Sequence, residues 1–274
     1  MKPRPVETMT ESEARGVRFA LMDIDDTLTT GGKLGAAAYA ALWRLKEAGF
    51  AVIPVTGRPA GWCDLIAREW PVDGVVGENG AFAFWEDAGG SRTLKAAYHP
   101  CAVRNTHPAL EKIRERALAE IPGLRVAKDQ FSRLFDLALD FAEEEPVLPL
   151  EAALRVKAVA EDAGAQAKIS SIHVNIWMGT YDKLSMAELF LSQRFGWAGG
   201  RAEVVFVGDS PNDEPMFAAF PLACAVANVR RYADLIRHPP RFIASQEGGE
   251  GFAEIAETLC RRLRRLQTWP PVVS

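Results

Sequence analysis

The chain is poor in everything that would tie it to nucleic acid, a bilayer or a disulfide framework. Lys and Arg number 32 against 36 Asp and Glu, a formal charge of −4, so there is no basic excess for duplex nucleic acid or an anionic membrane surface. No apolar run approaches the ~20 residues that cross a bilayer. Cysteine is scarce and dispersed: Cys63, Cys101, Cys224 and Cys260 form no Cys-x-x-Cys pair, and a chain of 274 residues needs no disulfide staples. The expectation is reduced thiols in a cytoplasmic protein, with no thiolate metal site. Histidine is equally sparse; His99 and His107 have no companion at ligand spacing and read as surface residues. Repeats and low-complexity tracts are missing. Residues 1–16 carry no apolar stretch behind their basic residues, which excludes a secretory signal and predicts a disordered lead-in.

Apolar residues make up 48% and charged residues 25%, the proportions of a globular chain, and at ~100–200 residues per domain the length allows one large domain or two modest ones. Residues 18–23 (RFALMD) are an apolar run ending in acid, and Leu34, Ala38, Leu42 and Leu45 stand at helical spacing before Gly49. Residues 50–56 predict a second strand, Pro59 opens a second helix, and 72–76 predict a third strand. The rhythm returns late, with helices over 182–195, 213–219 and 251–266 and strands over 203–207, 222–227 and 241–244. Such alternation means a parallel sheet with helices on its faces, an α/β fold. Residues 82–179 differ. Helices over 109–121 and 150–163 accompany strands over 136–141 and 172–178 whose apolar residues fall at every second position, the pattern of half-exposed antiparallel or mixed strands. They read as an inserted α+β domain that divides a core of residues 17–81 and 180–274. The basic cluster Arg261, Arg262, Arg264 and Arg265 reads as the solvated face of the last helix.

Three loops after strands carry chemistry. Asp23-Ile-Asp25-Asp26-Thr27 places two carboxylates two residues apart on extended backbone, on one side, at the sheet edge where such folds bind ligands; one can attack while the other moves a proton. Its plain structural alternative is an Asp-rich turn. Thr56-Gly57-Arg58-Pro59 offers a hydroxyl, backbone N–H groups beside glycine and a helix start, an anion cradle suited to phosphate, or simply a Thr cap with a tight turn. Gly208-Asp209-Ser210-Pro211-Asn212-Asp213 again sets acids on a glycine-led loop; oxygen-only acidic ligands suit a hard divalent ion, Mg2+ above all, while an Asx turn is the bland alternative.

In chain order, the Asp-x-Asp-x-Thr motif, the Thr56 motif, Lys183 at a helix start and the Gly-Asp-Ser-x-Asn-Asp motif resemble the four motifs of the haloacid dehalogenase (HAD) superfamily of phosphotransferases. The inserted segment between the Thr and Lys motifs, preceded by Gly77-Glu78-Asn79-Gly80-Ala81, resembles subfamily IIB. Its members include sucrose-phosphate, trehalose-phosphate and mannosyl-phosphoglycerate phosphatases and the phosphomannomutases. Asp26 stands where many members have Gly, at a tolerant loop position. The resemblance is weaker in the inserted segment than in the core.

The resemblance implies a Rossmann-like HAD core with a mainly parallel sheet and a cap, and a phosphatase working through an aspartyl phosphate. Asp23 would be the nucleophile and Asp25 the acid and base. Mg2+ would be held by the carboxylates of Asp23 and Asp209 and the backbone carbonyl of Asp25, supported by Asn212 and Asp213. Thr56, Gly57 and Lys183 would bind phosphate oxygens. The implied partner is a small phosphate ester, sugar-like by analogy, with no nucleic acid and no membrane. A phosphosugar mutase shares this core site, and a catalytically silent regulator fits the complete acid set less well. Arg58 and Asn79 are candidate substrate contacts, Arg58 with surface pairing as its alternative. His173, Asn175 and Trp177 share one face of their strand if it alternates regularly, and polar groups beside an indole suit a sugar; packing over the core is the structural alternative.

Overall fold

The computed structural model describes residues 2–87 and 92–264. In chain order its elements are β1 Arg4–Pro5, α1 Glu11–Ala14, β2 Phe19–Met22, the hairpin of β3 Thr29–Thr30 and β4 Lys33–Leu34, α2 Ala36–Glu47, β5 Ala51–Pro54, α3 Ala60–Glu69, β6 Val75–Gly77, β7 Phe82–Glu86 and β8 Leu94–Tyr98. There follow α4 Pro108–Glu120, β9 Arg125–Val126, β10 Asp136–Asp140, α5 Leu150–Asp162, β11 Gln166–Ile169 and β12 His173–Trp177. The chain then returns through α6 Lys183–Phe195, β13 Val204–Gly208, α7 Glu214–Ala219, β14 Leu222–Ala225, β15 Phe242–Ile243 and α8 Gly248–Arg264. The last two residues of the helix expected over 251–266, Arg265 of the basic cluster among them, lie outside the described residues. Arg262 of that cluster is half-buried and donates to the Glu7 carbonyl at 2.9 Å.

A six-stranded sheet in the order β1-β15-β14-β13-β2-β5 is parallel throughout. Both of its faces are covered, which is why β2 and β13 are unbroken apolar runs. Along β2, Ala20 and Met22 pack with Ala38, Leu42 and Leu45 of α2 and Ile255 and Leu259 of α8, while Phe19 and Leu21 pack with Met186 and Phe190 of α6 and Phe217 of α7. At β5 a parallel bridge from Val55 to Val76 attaches the antiparallel β6-β7-β8 unit.

Residues 4–14 are ordered, contrary to the expected lead-in. β1 pairs with β15, Thr10 and Glu13 form a capping box, and Val6 and Met9 are fully buried in the core cluster. Two apolar residues among prolines and charges carry no periodicity, so the sequence pattern misses them. The insertion also begins later than residue 82. β7 and β8 pair with β6, and Phe82 and Phe84 belong to the core cluster. The separate apolar cluster draws on Leu110, Ile113, Leu139, Val156, Val174 and Ile176, beneath α4 and α5 and against an antiparallel sheet ordered β11-β12-β10-β9. We call this part the cap.

The expected half-exposure of the cap strands is corrected too: every residue of β10 and β12 is buried. Leu137, Leu139, Val174 and Ile176 pack under the helices. The alternate positions, Asp136, Ala138 and Asp140 opposite Trp177, Asn175 and His173, pair across the strands and turn towards the core, where polar partners take the place of water.

Candidate active site

Four loops converge at the carboxyl ends of the parallel strands, the ligand-binding edge of such sheets. Asp23 follows β2, its N–H held by the Val207 carbonyl at 2.9 Å, and Asp209 follows β13. Lys183 is the first residue of α6, whose cap residue Asp182 accepts from Ser185 N. The Lys183 ammonium donates to Asp23 Oδ1 at 2.7 Å and Asp213 Oδ1 at 2.9 Å. All four side chains are buried.

Asp23, Asp209 and Asp213 each offer an oxygen within 4.8 Å of the others. The oxygens of Asp213 are already committed, Oδ1 to Lys183 and Oδ2 to the N–H groups of Asp209 (3.0 Å) and Ser210 (3.4 Å). Asp209 receives only long bonds, from Thr27 Oγ1 at 3.3 Å and Asn228 Nδ2 at 3.4 Å. The second oxygen of Asp23 and the weakly held Asp209 carboxylate are therefore the acceptors left over, and Asp213 holds the lysine and the loop. Burial pushes the Asp23 carboxyl up to about 7, against the pull of Lys183 and with the push of Asp213 and Asp25. Burial, then Asp213 and Asp23, drive Asp209 well above its ordinary value. Three buried carboxylates facing one ammonium leave negative charge to be neutralised, and the donors are oxygens alone, so the residues present fit a hard divalent cation.

The Asp25 side chain stands outside this cluster. Arg58 grips it, with Nε 3.0 Å from both carboxylate oxygens and Nη2 2.7 Å from Oδ1. Arg58 is thus neither a surface residue nor free for an anionic substituent; Asp25, Glu143 at 3.1 Å and Asp129 at 3.8 Å surround it. Thr56 Oγ1 accepts from Arg58 N at 3.0 Å. A Cβ on Gly57 would stand 3.2–3.3 Å from the amides of Asn79 and Asn175, so glycine lets those amides close on the turn. Asn79 has left-handed backbone (φ 55°), and its buried Nδ2 has no hydrogen-bond partner, an amide donor left over beside the Thr56–Pro59 turn.

A cleft of about 340 Å³, counted to its open mouth, lies between core and cap, lined by Asp23, Asp25, Gly57, Arg58, Ser210 and Asn212 below and by Ser170, Ser171, Ile172, His173 and Asn175 above. Trp177 is not among them. Its indole N–H donates to the Tyr181 carbonyl at 3.2 Å, its ring stacks on Tyr181 at 5.5 Å, and it is 1% exposed. The three alternate residues do share a face, but the strand's end carries Trp177 into the core cluster.

The loops are joined by residues to which the sequence reading gave no role. Glu78 accepts from the N–H groups of Ala60 (3.0 Å), Leu134 (2.9 Å), Phe135 (2.7 Å) and Asp136 (3.2 Å), clamping cap backbone to the core. Arg133, fully buried, joins Asp136 and Asp129 to the Gly57 carbonyl, each at 3.0 Å. Asn228 donates to the Asp26 carbonyl at 2.8 Å and accepts from Gly248 N at 3.2 Å. Glu78 lay within a motif already singled out, the one available signal. The others stand alone or, like Glu143, in an acidic run that reads as solvated loop. His99 and His107 are half-buried and accept from the N–H groups of Cys101 and Ala109, His107 as the cap residue of α4.

Residues 20–120 match the family of haloacid dehalogenase-like hydrolases. No curated protein matches the chain. Among solved structures, protein 0175 of Thermoplasma acidophilum is similar with a TM-score of 0.68 at 21% identity, over 89% of this chain and 98% of that one. A HAD subclass IIB sugar phosphatase gives 0.60 at 13% identity, over 91% and 99%. The sucrose-phosphatase of Synechocystis, solved with sucrose and phosphate, gives 0.58 at 14% identity, over 92% and 98%. The fold is the α/β architecture of these structures.

Proposed function

We propose that the protein is a Mg2+-dependent phosphatase that hydrolyses a small phosphate monoester with a sugar-like leaving group. The observation that carries this reading is the meeting of Asp23, Asp209, Asp213 and Lys183 in one buried cluster beneath a cleft roofed by Ser170, Ser171, His173 and Asn175 of the cap. Sucrose-phosphatase among the structural neighbours favours a sugar phosphate. No helix among the described residues is long and apolar enough to cross a membrane; a small-metabolite partner suits the charge balance.

Asp23 attacks phosphorus. A bond from its carboxylate oxygen to phosphorus forms, the bond to the ester oxygen breaks, and the departing oxygen keeps the electron pair and takes a proton from Asp25. Water then gives a proton to Asp25 and its oxygen to phosphorus, releasing inorganic phosphate and restoring Asp23. Mg2+ held by Asp23 and Asp209 would supply the positive charge that lets an anionic nucleophile meet an anionic ester. Lys183 spends two donors on Asp23 and Asp213 and retains a third for a phosphate oxygen, and the Thr56 hydroxyl, which accepts from Arg58 N, keeps its proton to donate. Asn79 Nδ2 is a further donor. The cap acts as a lid that excludes bulk water.

The test is a panel of phosphorylated sugars and small metabolites with and without Mg2+, following phosphate release and product identity. Metal-dependent phosphate release supports the reading. Isomerised sugar phosphate without release would make the protein a mutase, and inertness towards the whole panel would leave a binding role.

A further inference from the structure

We propose that Glu143, a cap residue outside the cleft lining, is a positioning residue that holds Asp25 in place through Arg58, so that the proton donor is aligned only while the cap rests on the core. This rests on the phosphatase reading, with Asp25 as the donor.

The guanidinium of Arg58 is one group shared by two parts of the molecule. Nε and Nη2 grip Asp25 of the core, while Nη1 donates to Glu143 Oε1 of the cap at 3.1 Å. Its face lies 4.3 Å from the Trp62 ring centroid, which limits it to rotation in its own plane. The second oxygen of Glu143 accepts from His173 Nε2 at 2.8 Å, and Glu143 N donates to Asp140 Oδ1 at 2.8 Å, fixing the turn that presents the carboxylate. His173 and Arg58 together hold the Glu143 carboxyl down at about 2, so the Glu143–Arg58 contact is ionic at every working pH.

The chain of contacts therefore runs His173, Glu143, Arg58, Asp25. Its two ends line the cleft; Glu143 does not. A planar fork fixes the plane of the carboxylate it grips, and a proton donor works only within hydrogen-bond reach of the departing oxygen. Without Glu143, Nη1 keeps Asp129 at 3.8 Å as its nearest cap anchor, and the guanidinium turns with Asp25. The cost falls on the step that needs the proton.

That step can be isolated with two small esters of similar shape, phenyl phosphate and p-nitrophenyl phosphate. Both form the same phosphoenzyme, but nitrophenol departs without help and phenol does not. With full-length protein and Mg2+, Glu143→Gln is expected to lower kcat/KM on phenyl phosphate by roughly tenfold or more and on p-nitrophenyl phosphate by less than about threefold. His173→Gln is expected to give the same pattern, with no further loss when the two changes are combined. Equal losses on both esters, or none on either, overturn the proposal. Because Glu143 is a third exposed, the melting temperature should hold. Wild-type protein that cleaves neither ester would instead remove the phosphatase reading itself, and this proposal with it.

Discussion

Asparagine in place of Asp23 matches the carboxylate in shape but has no lone-pair anion with which to attack phosphorus. Turnover should fall by at least about 10⁴-fold, while thermal melting without Mg2+ stays level or rises, because burial already disfavours the charged form of Asp23. Wild-type-like turnover would dismiss Asp23 as nucleophile. Trp177→Ala tests a different kind of residue. The stacked, hydrogen-bonded indole is core, and its removal should cost about 3–5 kcal/mol of stability, visible in denaturant unfolding, with the surviving folded protein losing equally on large and small esters. The two cases mark what single residues disclose in a sequence. The place of Asp23, Asp25 and Asp209 at the sheet edge was legible because acids that follow apolar strands lie there whatever else the chain does. The surroundings of Arg58 were not, because they depend on which part of the cap lands on which part of the core, a long-range fact that local spacing does not encode, and strand alternation alone does not show that the chain turns after Trp177 to lay Tyr181 on its ring.

At the scale of elements, the position of Lys183 depends on how α6 starts. Gly80, at φ +108°, brings its backbone so near the Asp182 carbonyl that a Cβ there would lie 2.0 Å from that oxygen. Gly80→Ala therefore must push the first turn of α6, and Lys183 with it, away from Asp23. We expect a loss of about 2 kcal/mol or more in stability and a fall in kcat larger than the rise in KM for p-nitrophenyl phosphate. Unchanged melting and kinetics would mean that the contact relaxes freely. The same scale explains which elements could be read in advance. β2, β5, β13 and β14 are buried on both faces, so each is an apolar run. β8 is largely exposed, with the pattern of Leu94 and Ala97 half-buried and the rest open, and it exists because β7 offers it a pairing edge; no periodicity in its own five residues announces it.

For the whole molecule, the balance of charge is the controlling quantity. Asp23 and Glu78 both hold their protons up to about 7, Asp23 for the reasons given above. For Glu78 the cause is first burial and then Asp136, opposed by the cap N–H groups and Arg133; Cys63 and Tyr181 are its other titratable neighbours. A carboxyl whose value is raised in the fold binds more protons in the native than in the unfolded chain between about 4 and 7, so stability is full below that window and is lost as pH rises through it. Without divalent cation the melting temperature should therefore fall from about pH 5 to about pH 8, and Glu78→Gln should flatten that slope. Mg2+ acts in the opposite sense. On the proposed reading it would bind the ionised forms of Asp23 and Asp209 and have to displace their protons at low pH, and its stabilisation would follow the ratio of free ion to dissociation constant. Saturating Mg2+ should consequently raise the melting temperature more at about pH 8 than at about pH 5, Asp209→Asn should erase the difference, and Glu78→Gln should leave it in place. Equal Mg2+ shifts at the two pH values, or a difference that survives Asp209→Asn, would put the ion somewhere other than the Asp23 and Asp209 carboxylates.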